Sequence, residues 1–162
     1  MKIARFRYKN RTAFGVVQGD EVVEIRGSIY SRFRMTDTKH PLAEVGLLPP
    51  TEPSEIWCPG LNFANHLAYA AEVLGDKNPK VPEHPEPWVK ARGSLTGTGE
   101  SIILPHDASG EVHYEGEAVA VIGKTCRRVT PQEASKCILG YTCGNDVSER
   151  AWQKDDWTFW RA

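Results

Sequence analysis

The run His113-Tyr114-Glu115-Gly116-Glu117, continuing into Ala118-Val119-Ala120-Val121-Ile122, restricts the folding of this chain more than any other stretch. Side chains of a β-strand alternate faces with a period of two. His113, Glu115, Glu117, Val119 and Val121 therefore share one face, and Tyr114, Gly116, Ala118, Ala120 and Ile122 the other. Two carboxylates are thus in phase with residues that need burial. Side by side at the edge of an apolar interior they repel each other and lose hydration, unless a cation or a proton relieves them. A divalent metal would do so, and oxygen-only ligands select a hard ion, Mg²⁺, Ca²⁺ or Mn²⁺, over zinc. A strand with a solvated start and a buried end accounts for the same residues without a metal.

With 162 residues, 40% of them hydrophobic, the chain can build one ordinary domain or a small domain beside a larger one. A net charge of -1 gives no general attraction to nucleic acid or to an anionic membrane. Arg5, Arg7, Lys9 and Arg11 alternate with Ala4, Phe6 and Tyr8, which reads as the solvated face of a strand and not as a phosphate patch. The longest aliphatic run, Ala118 to Ile122, is far below the roughly 18 residues that cross a bilayer. The first residues lack the apolar segment of a signal peptide, so the expectation is a cytoplasmic protein without a nucleic-acid or membrane partner. Cys58, Cys126, Cys137 and Cys143 include no C-x-x-C pair and read as reduced, mostly structural thiols.

Strands are expected at Ile3 to Tyr8, Ala13 to Gln18 and Glu21 to Ile25, the last two joined through a Gly19-Asp20 hairpin turn. Pro49, Pro50 and Pro53 mark a connector, which divides a small N-terminal β-rich domain, residues 1–52, from a second domain, residues 53–162. An Ala-rich helical pattern follows His66 and runs to Leu74, with Gly75 as its C-terminal cap. Pro79, Pro82, Pro85 and Pro87 make an extended surface loop. Beyond it the chain reads as mainly β, with strands at Trp88 to Arg92, Ser101 to Leu104, the Glu-rich run and Ile138 to Gly144. A short helix from Thr130 to Lys136 is expected, capped by Thr130 with Pro131 in its first position.

If a helix begins after Gly144, Asp146, Arg150 and Gln153 fall at i, i+4 and i+7 on one side. That side could face a ligand, or Asp146 could simply cap the helix and pair with Arg150. His66 sits where a loop enters a helix, a placement that suits a general base near neutral pH as well as an ordinary surface histidine. Glu72 is its nearest downstream carboxylate. On a regular helix six residues place it about 240° around from His66, so a catalytic His66–Glu72 pair needs the helix to start after His66 or to be distorted.

Ordered along the chain are Gly60-Leu61-Asn62-Phe63-Ala64-Asn65-His66, then Ser94-Leu95-Thr96-Gly97 ahead of Ile102-Ile103-Leu104-Pro105, then Tyr114-Glu115-Gly116-Glu117 with Val121-Ile122-Gly123-Lys124, and finally Gly140-Tyr141-Thr142-Cys143-Gly144-Asn145-Asp146-Val147-Ser148-Glu149-Arg150. Together these resemble the fumarylacetoacetate hydrolase family over residues from about 56 onward. The resemblance implies a mainly β (α+β) fold, a layered mixed-sheet core with short helices, preceded by the small N-terminal β unit and assembled as a homodimer. It implies that Glu115, Glu117 and Asp146 bind Mg²⁺ (or Ca²⁺ or Mn²⁺), that His66 is the general base, and that Arg150 and Gln153 contact a small 2-oxo acid or β-diketone substrate.

Members hydrolyse carbon–carbon bonds in acids such as fumarylacetoacetate or acylpyruvates, decarboxylate 2-oxo acids, or isomerise dienoates in aromatic catabolism. A metal-dependent hydrolase is the first expectation and an isomerase or decarboxylase the alternative; a non-catalytic module holding a structural Ca²⁺ is a third. Chemically, a cation held by three carboxylates keeps positions open for two substrate oxygens and stabilises the enolate formed as the bond breaks. His66 would activate water and Arg150 orient a substrate carboxylate.

The chain departs from the family pattern in two ways. Members with a compact base dyad carry a Glu three residues after the His, where this chain has Tyr69. The family also continues past the equivalent of Trp160-Arg161-Ala162 with a catalytic Lys, which implies a truncated chain. Trp152, Trp157, Phe159 and Trp160 crowd the final residues, although termini are usually polar. A complete protein of this length is expected to bind metal weakly and turn over poorly.

Overall fold

The computed structural model describes residues 1–74 and 80–155. Two compact units form, Met1–Glu52 with Leu95–Glu149, and Pro53–Ser94 with the segment from Arg150 onward. The cap at Gly75, Pro79 and the expected burial of Trp157, Phe159 and Trp160 lie outside the described residues.

The first unit starts with β1 (Ile3–Tyr8), β2 (Arg11–Gln18), β3 (Glu21–Gly27), β4 (Phe33–Pro41) and β5 (Gly46–Leu47). They form one antiparallel sheet in the order β4-β3-β2-β1-β5. Apolar residues at alternate positions put Phe6, Val16 and Val22 inside, joined by Val23 and Ile29. Phe6 and Val22 are fully buried and contribute on the order of 1.5–3 kcal/mol each. Gly15 is fixed by that packing, because a Cβ there would stand 2.5 Å from Val22 Cγ2 and 2.7 Å from the carbonyl oxygen of Val23.

Two features of this sheet depart from the sequence reading. Arg5 is not solvated: its side chain is 13% exposed and ion-paired with Glu52. β4, which the sequence reading lacked, is polar along its length, and its pairing with β3 slips between Val23 and Ile25. At that slip Glu24 turns inward and receives Arg11 and His40, while its carbonyl accepts from the Thr36 hydroxyl at 3.1 Å.

The unit is completed by β8 (Val112–His113), β9 (Gly116–Ile122), α2 (Pro131–Ser135), β10 (Ile138–Asn145) and β11 (Ser148–Glu149), with β9 antiparallel to β10 and β8 to β11. α2 opens as its sequence specifies: Pro131 is at the start, Thr130 accepts from Glu133 N–H, and the Glu133 carboxylate accepts from Thr130 N–H. Glu117, Val119 and Val121 are the half-buried face of β9, as the period of two requires. The expected single strand from His113 to Ile122 is interrupted at Tyr114–Glu115, where the chain leaves β8 and its partner β11 for β9 and its partner β10.

The expected strand at Ser101 to Leu104 does not form, and Ile103 is 83% exposed. Its β-branched residues have the propensity, but a strand exists only where another main chain supplies the ladder.

The second unit contains β6 (Ile56–Pro59), α1 (Ala64–Leu74), β7 (Pro87–Lys90) and α3 (Arg150–Asp155), with β6 antiparallel to β7. The fold as a whole is mainly β with short helices. Among the described residues no helix is long and apolar enough to cross a membrane.

Candidate functional site

The first unit brings the three acidic candidates together through the main chain. β10 runs alongside β9 so that Gly144 lies opposite Glu117 and Asn145 opposite Gly116. One residue beyond the ladder, Asp146 N–H donates to the Glu115 carbonyl at 2.9 Å, and Asn145 Oδ1 accepts from Glu115 N–H at 3.0 Å. The break between β8 and β9 is what makes this possible, because Glu115 outside a ladder has main-chain groups available to a segment thirty residues later. Gly144 allows the close pairing: a Cβ there would come within 2.7 Å of Val119 Cγ2.

Around the carboxylates stand residues to which the sequence reading gave no role. Ser148, 2% exposed, donates its hydroxyl to Glu115 Oε1 at 3.0 Å. Glu149, 5% exposed, accepts from the Ser109 hydroxyl and from Ser109 N–H, which ties the preceding loop to β11. Both belong to the quoted motif, yet nothing local to the sequence separates them from solvated residues. Oδ1 of Asp146 is shielded from solvent.

Asp146 itself is not on a helix with Arg150. β11 intervenes and α3 begins at Arg150, so the i, i+4, i+7 relation among Asp146, Arg150 and Gln153 does not exist. The helix does not start at Asn145 because that residue is still in the β10 ladder and Ser148–Glu149 pair with β8.

An all-carboxylate set is chemically suited to a hard divalent cation. The side chains, however, do not close around one: among the described residues no group of three His, Cys, Asp or Glu side chains could hold a metal ion. The main-chain adjacency is present and the side-chain convergence is not.

His66, Glu72, Arg150 and Gln153 belong to the second unit. β6 leads through Gly60, whose N–H donates to the Glu86 carbonyl at 3.0 Å, into Leu61 at a left-handed φ of 48°. That conformation costs a non-glycine residue about 1–2 kcal/mol and sets the entry of α1. α1 begins at Ala64, ahead of His66, and is continuous to Leu74. The half-buried His66 and the exposed Glu72 therefore leave one regular helix about 240° apart and are not paired by it. On α3, Arg150 Nη1 donates to Gln153 Oε1 at 2.9 Å, as the i, i+3 spacing permits.

Residues 55–162 match the family model of the fumarylacetoacetate (FAA) hydrolase C-terminal domain, and residues 1–50 that of the Rv2993c-like N-terminal domain. Protein Rv2993c of Mycobacterium tuberculosis is 36% identical over 100% of this chain and 61% of its own length. The mitochondrial oxaloacetate tautomerase Fahd2a of Rattus norvegicus is 35% identical over 70% of this chain and 34% of its own. The crystal structure of 5-carboxymethyl-2-hydroxymuconate delta-isomerase from Mycobacterium smegmatis superposes with a TM-score of 0.84 at 34% identity, covering 100% of this chain and 61% of that one. The chain thus spans about three-fifths or less of the length of these relatives.

Proposed function

This chain belongs to the fumarylacetoacetate hydrolase family, and from that premise we propose that the protein moves a proton at the carbon beside the carbonyl of a 2-oxo acid or β-diketone acid, interconverting enol and keto forms. The observation that carries the proposal is the 2.9 Å hydrogen bond from Asp146 to the Glu115 carbonyl, which with the Gly144–Glu117 register gathers three acidic residues at one end of a strand pair. Glu115, Glu117 and Asp146 are the ligands proposed for Mg²⁺, or for Ca²⁺ or Mn²⁺, on the strength of their main-chain adjacency, and binding requires their side chains to turn toward one ion. When bound, such an ion supplies positive charge that polarises a carbonyl oxygen. His66 is the proposed proton acceptor and donor. Arg150, oriented by Gln153, is proposed to bind the substrate carboxylate by charge-assisted hydrogen bonds.

Hydrolysis of the carbon–carbon bond in a fumarylacetoacetate- or acylpyruvate-type acid is the second reading. It requires, in addition, an activated water. The sole carboxylate of α1 is Glu72, turned about 240° from His66, and the residue three after His66 is Tyr69. A base without a carboxylate on its own helix face favours enol–keto chemistry over hydrolysis.

The test is to incubate the protein, at the length its native gene encodes, with oxaloacetate and a panel of acylpyruvates, with and without Mg²⁺, and to follow the enol absorbance. Metal-dependent loss of the enol with unchanged substrate mass supports tautomerisation, whereas two carboxylic acid fragments support hydrolysis. No metal-dependent change with any substrate overturns the proposal.

A further inference from the structure

The β3–β4 ribbon carries a pair of cations that the chemistry above does not use. Arg26 stands directly opposite Arg34 in the ladder, so the two side chains leave the same face with their Cβ atoms about 5 Å apart. Like charges opposed in this way repel each other. Arg5, Arg11 and Lys39 of the same sheet each hold a carboxylate, from Glu52, Glu24 and Glu21. Neither Arg26 nor Arg34 has a side-chain hydrogen bond or ion pair among the described residues.

Two features hold the pair in register. At one end the turn after Gly27 is closed by Ser28 N–H, which donates to the Arg32 carbonyl at 3.1 Å, and is pinned by the buried Ile29. Gly27 lies there at a φ of 116°, and a Cβ on it would run into that same carbonyl oxygen. At the other end β4, an edge strand, bulges: between the pairs Ile25–Met35 and Val23–Lys39 the single residue Glu24 faces Thr36, Asp37 and Thr38. The Thr36 hydroxyl fastens the bulge, donating to the Glu24 carbonyl at 3.1 Å and accepting from Thr38 N–H at 3.2 Å. Bulges of this kind re-aim side chains at the rim of a sheet. Beside this one is a cavity of about 350 Å³ lined by Arg26, Arg34, Met35, Thr36 and Asp37.

We propose that this cavity binds a small phosphomonoester, its dianionic phosphate held between the guanidinium forks of Arg26 and Arg34. Planar guanidinium groups donate in pairs to phosphate oxygens. A tetrahedral dianion offers oxygens to both forks at once and cancels both charges, whereas a dicarboxylate spreads its charge over two separated groups and fits two adjacent forks less closely. Asp37, on the same lining, accepts from a hydroxyl beside the phosphate and repels a bare anion.

The experiment titrates the full chain with inorganic phosphate, glycerol 3-phosphate and succinate, followed by amide NMR at about pH 8, where phosphate is a dianion, and at an ionic strength held constant with sodium chloride. The expected result is saturable phosphate binding with a Kd of about 1 mM, and roughly threefold tighter binding of glycerol 3-phosphate. Arg26→Gln and Arg34→Gln should each weaken phosphate about tenfold. Asp37→Asn should tighten phosphate roughly threefold and remove the advantage of glycerol 3-phosphate, while Arg7→Gln, at an exposed arginine elsewhere in the sheet, changes nothing. Without phosphate the two arginine variants should melt no lower than the wild type, because a repulsion has been removed, so weakened binding is not lost folding. A response that does not saturate, phosphate binding unaltered by Arg26→Gln and Arg34→Gln, or succinate bound as tightly as phosphate overturns the proposal.

Discussion

The hydroxyl of Ser148 donates to Oε1 of Glu115 at 3.0 Å, joining a nearly fully buried residue of β11 to a carboxylate 33 positions earlier. The contact fixes the direction of one acidic side chain at the strand end where Asp146 is also anchored. Ser148→Ala leaves the backbone pairing of Ser148 with His113 intact but removes that constraint. Destabilisation by about 1–2 kcal/mol is expected in urea unfolding, together with a roughly tenfold weaker affinity for Mg²⁺ in calorimetric titration. Unchanged metal affinity would show that Glu115 needs no such orientation.

Metal binding to the native fold should appear as thermal stabilisation. At a hundredfold excess of Mg²⁺ or Mn²⁺ over Kd the gain is about 2.7 kcal/mol, a Tm rise of roughly 5–10 °C. Glu117→Gln combined with Asp146→Asn should abolish the rise while leaving the metal-free melting curve of the N-terminal sheet in place. A full response in the double variant places the ion elsewhere.

Glu24 gives the N-terminal sheet its acid sensitivity. Burial pushes its carboxyl up, but hydrogen bonds and charge from Arg11 and His40 outweigh that and hold it below the ordinary 4.5. His40 Nε2 is 2.7 Å from Glu24 Oε1, and its ring packs 4.2 Å from that of Tyr8. A depressed folded value means that the unfolded chain binds the proton more readily. The stabilisation is therefore complete above about pH 4.5 and is lost as pH falls from there through the folded value. Melting temperatures between pH 7 and pH 3 should fall more steeply in the wild type than in Glu24→Gln, which begins lower because a buried partner has been removed. Parallel curves would rule out Glu24 as the group responsible.

Gly15 is expected to tolerate no side chain. Gly15→Ala places a methyl against Val22 Cγ2 and the Val23 carbonyl, and the latter, being main chain within the sheet, cannot rotate away. Overpacking of this kind costs about 1–3 kcal/mol, to be read as a lower urea midpoint at unchanged slope. A neutral substitution would mean that β2 and β3 separate more readily than their ladder suggests.

What the sequence determined by itself is local. Apolar, β-branched runs in residues 3–8 and 21–25 set strands, Thr130-Pro131 with Glu133 set the start of α2, and the period of two set the half-buried face of β9. Each follows from backbone sterics or from hydrogen bonds within a few residues, whereas the family and its mainly β fold were legible only through the resemblance of the ordered motifs. Tertiary structure decided the rest. β4 has no apolar alternation and exists because β3 offers it a ladder; Ser101 to Leu104 has β-branched residues and no ladder, so it is not a strand. The strand break at Tyr114–Glu115 and the anchoring of Asp146 outside any helix both depend on which distant main-chain groups are satisfied together. No period or cap encodes such long-range pairing, because its hydrogen bonds form only once both segments are in place.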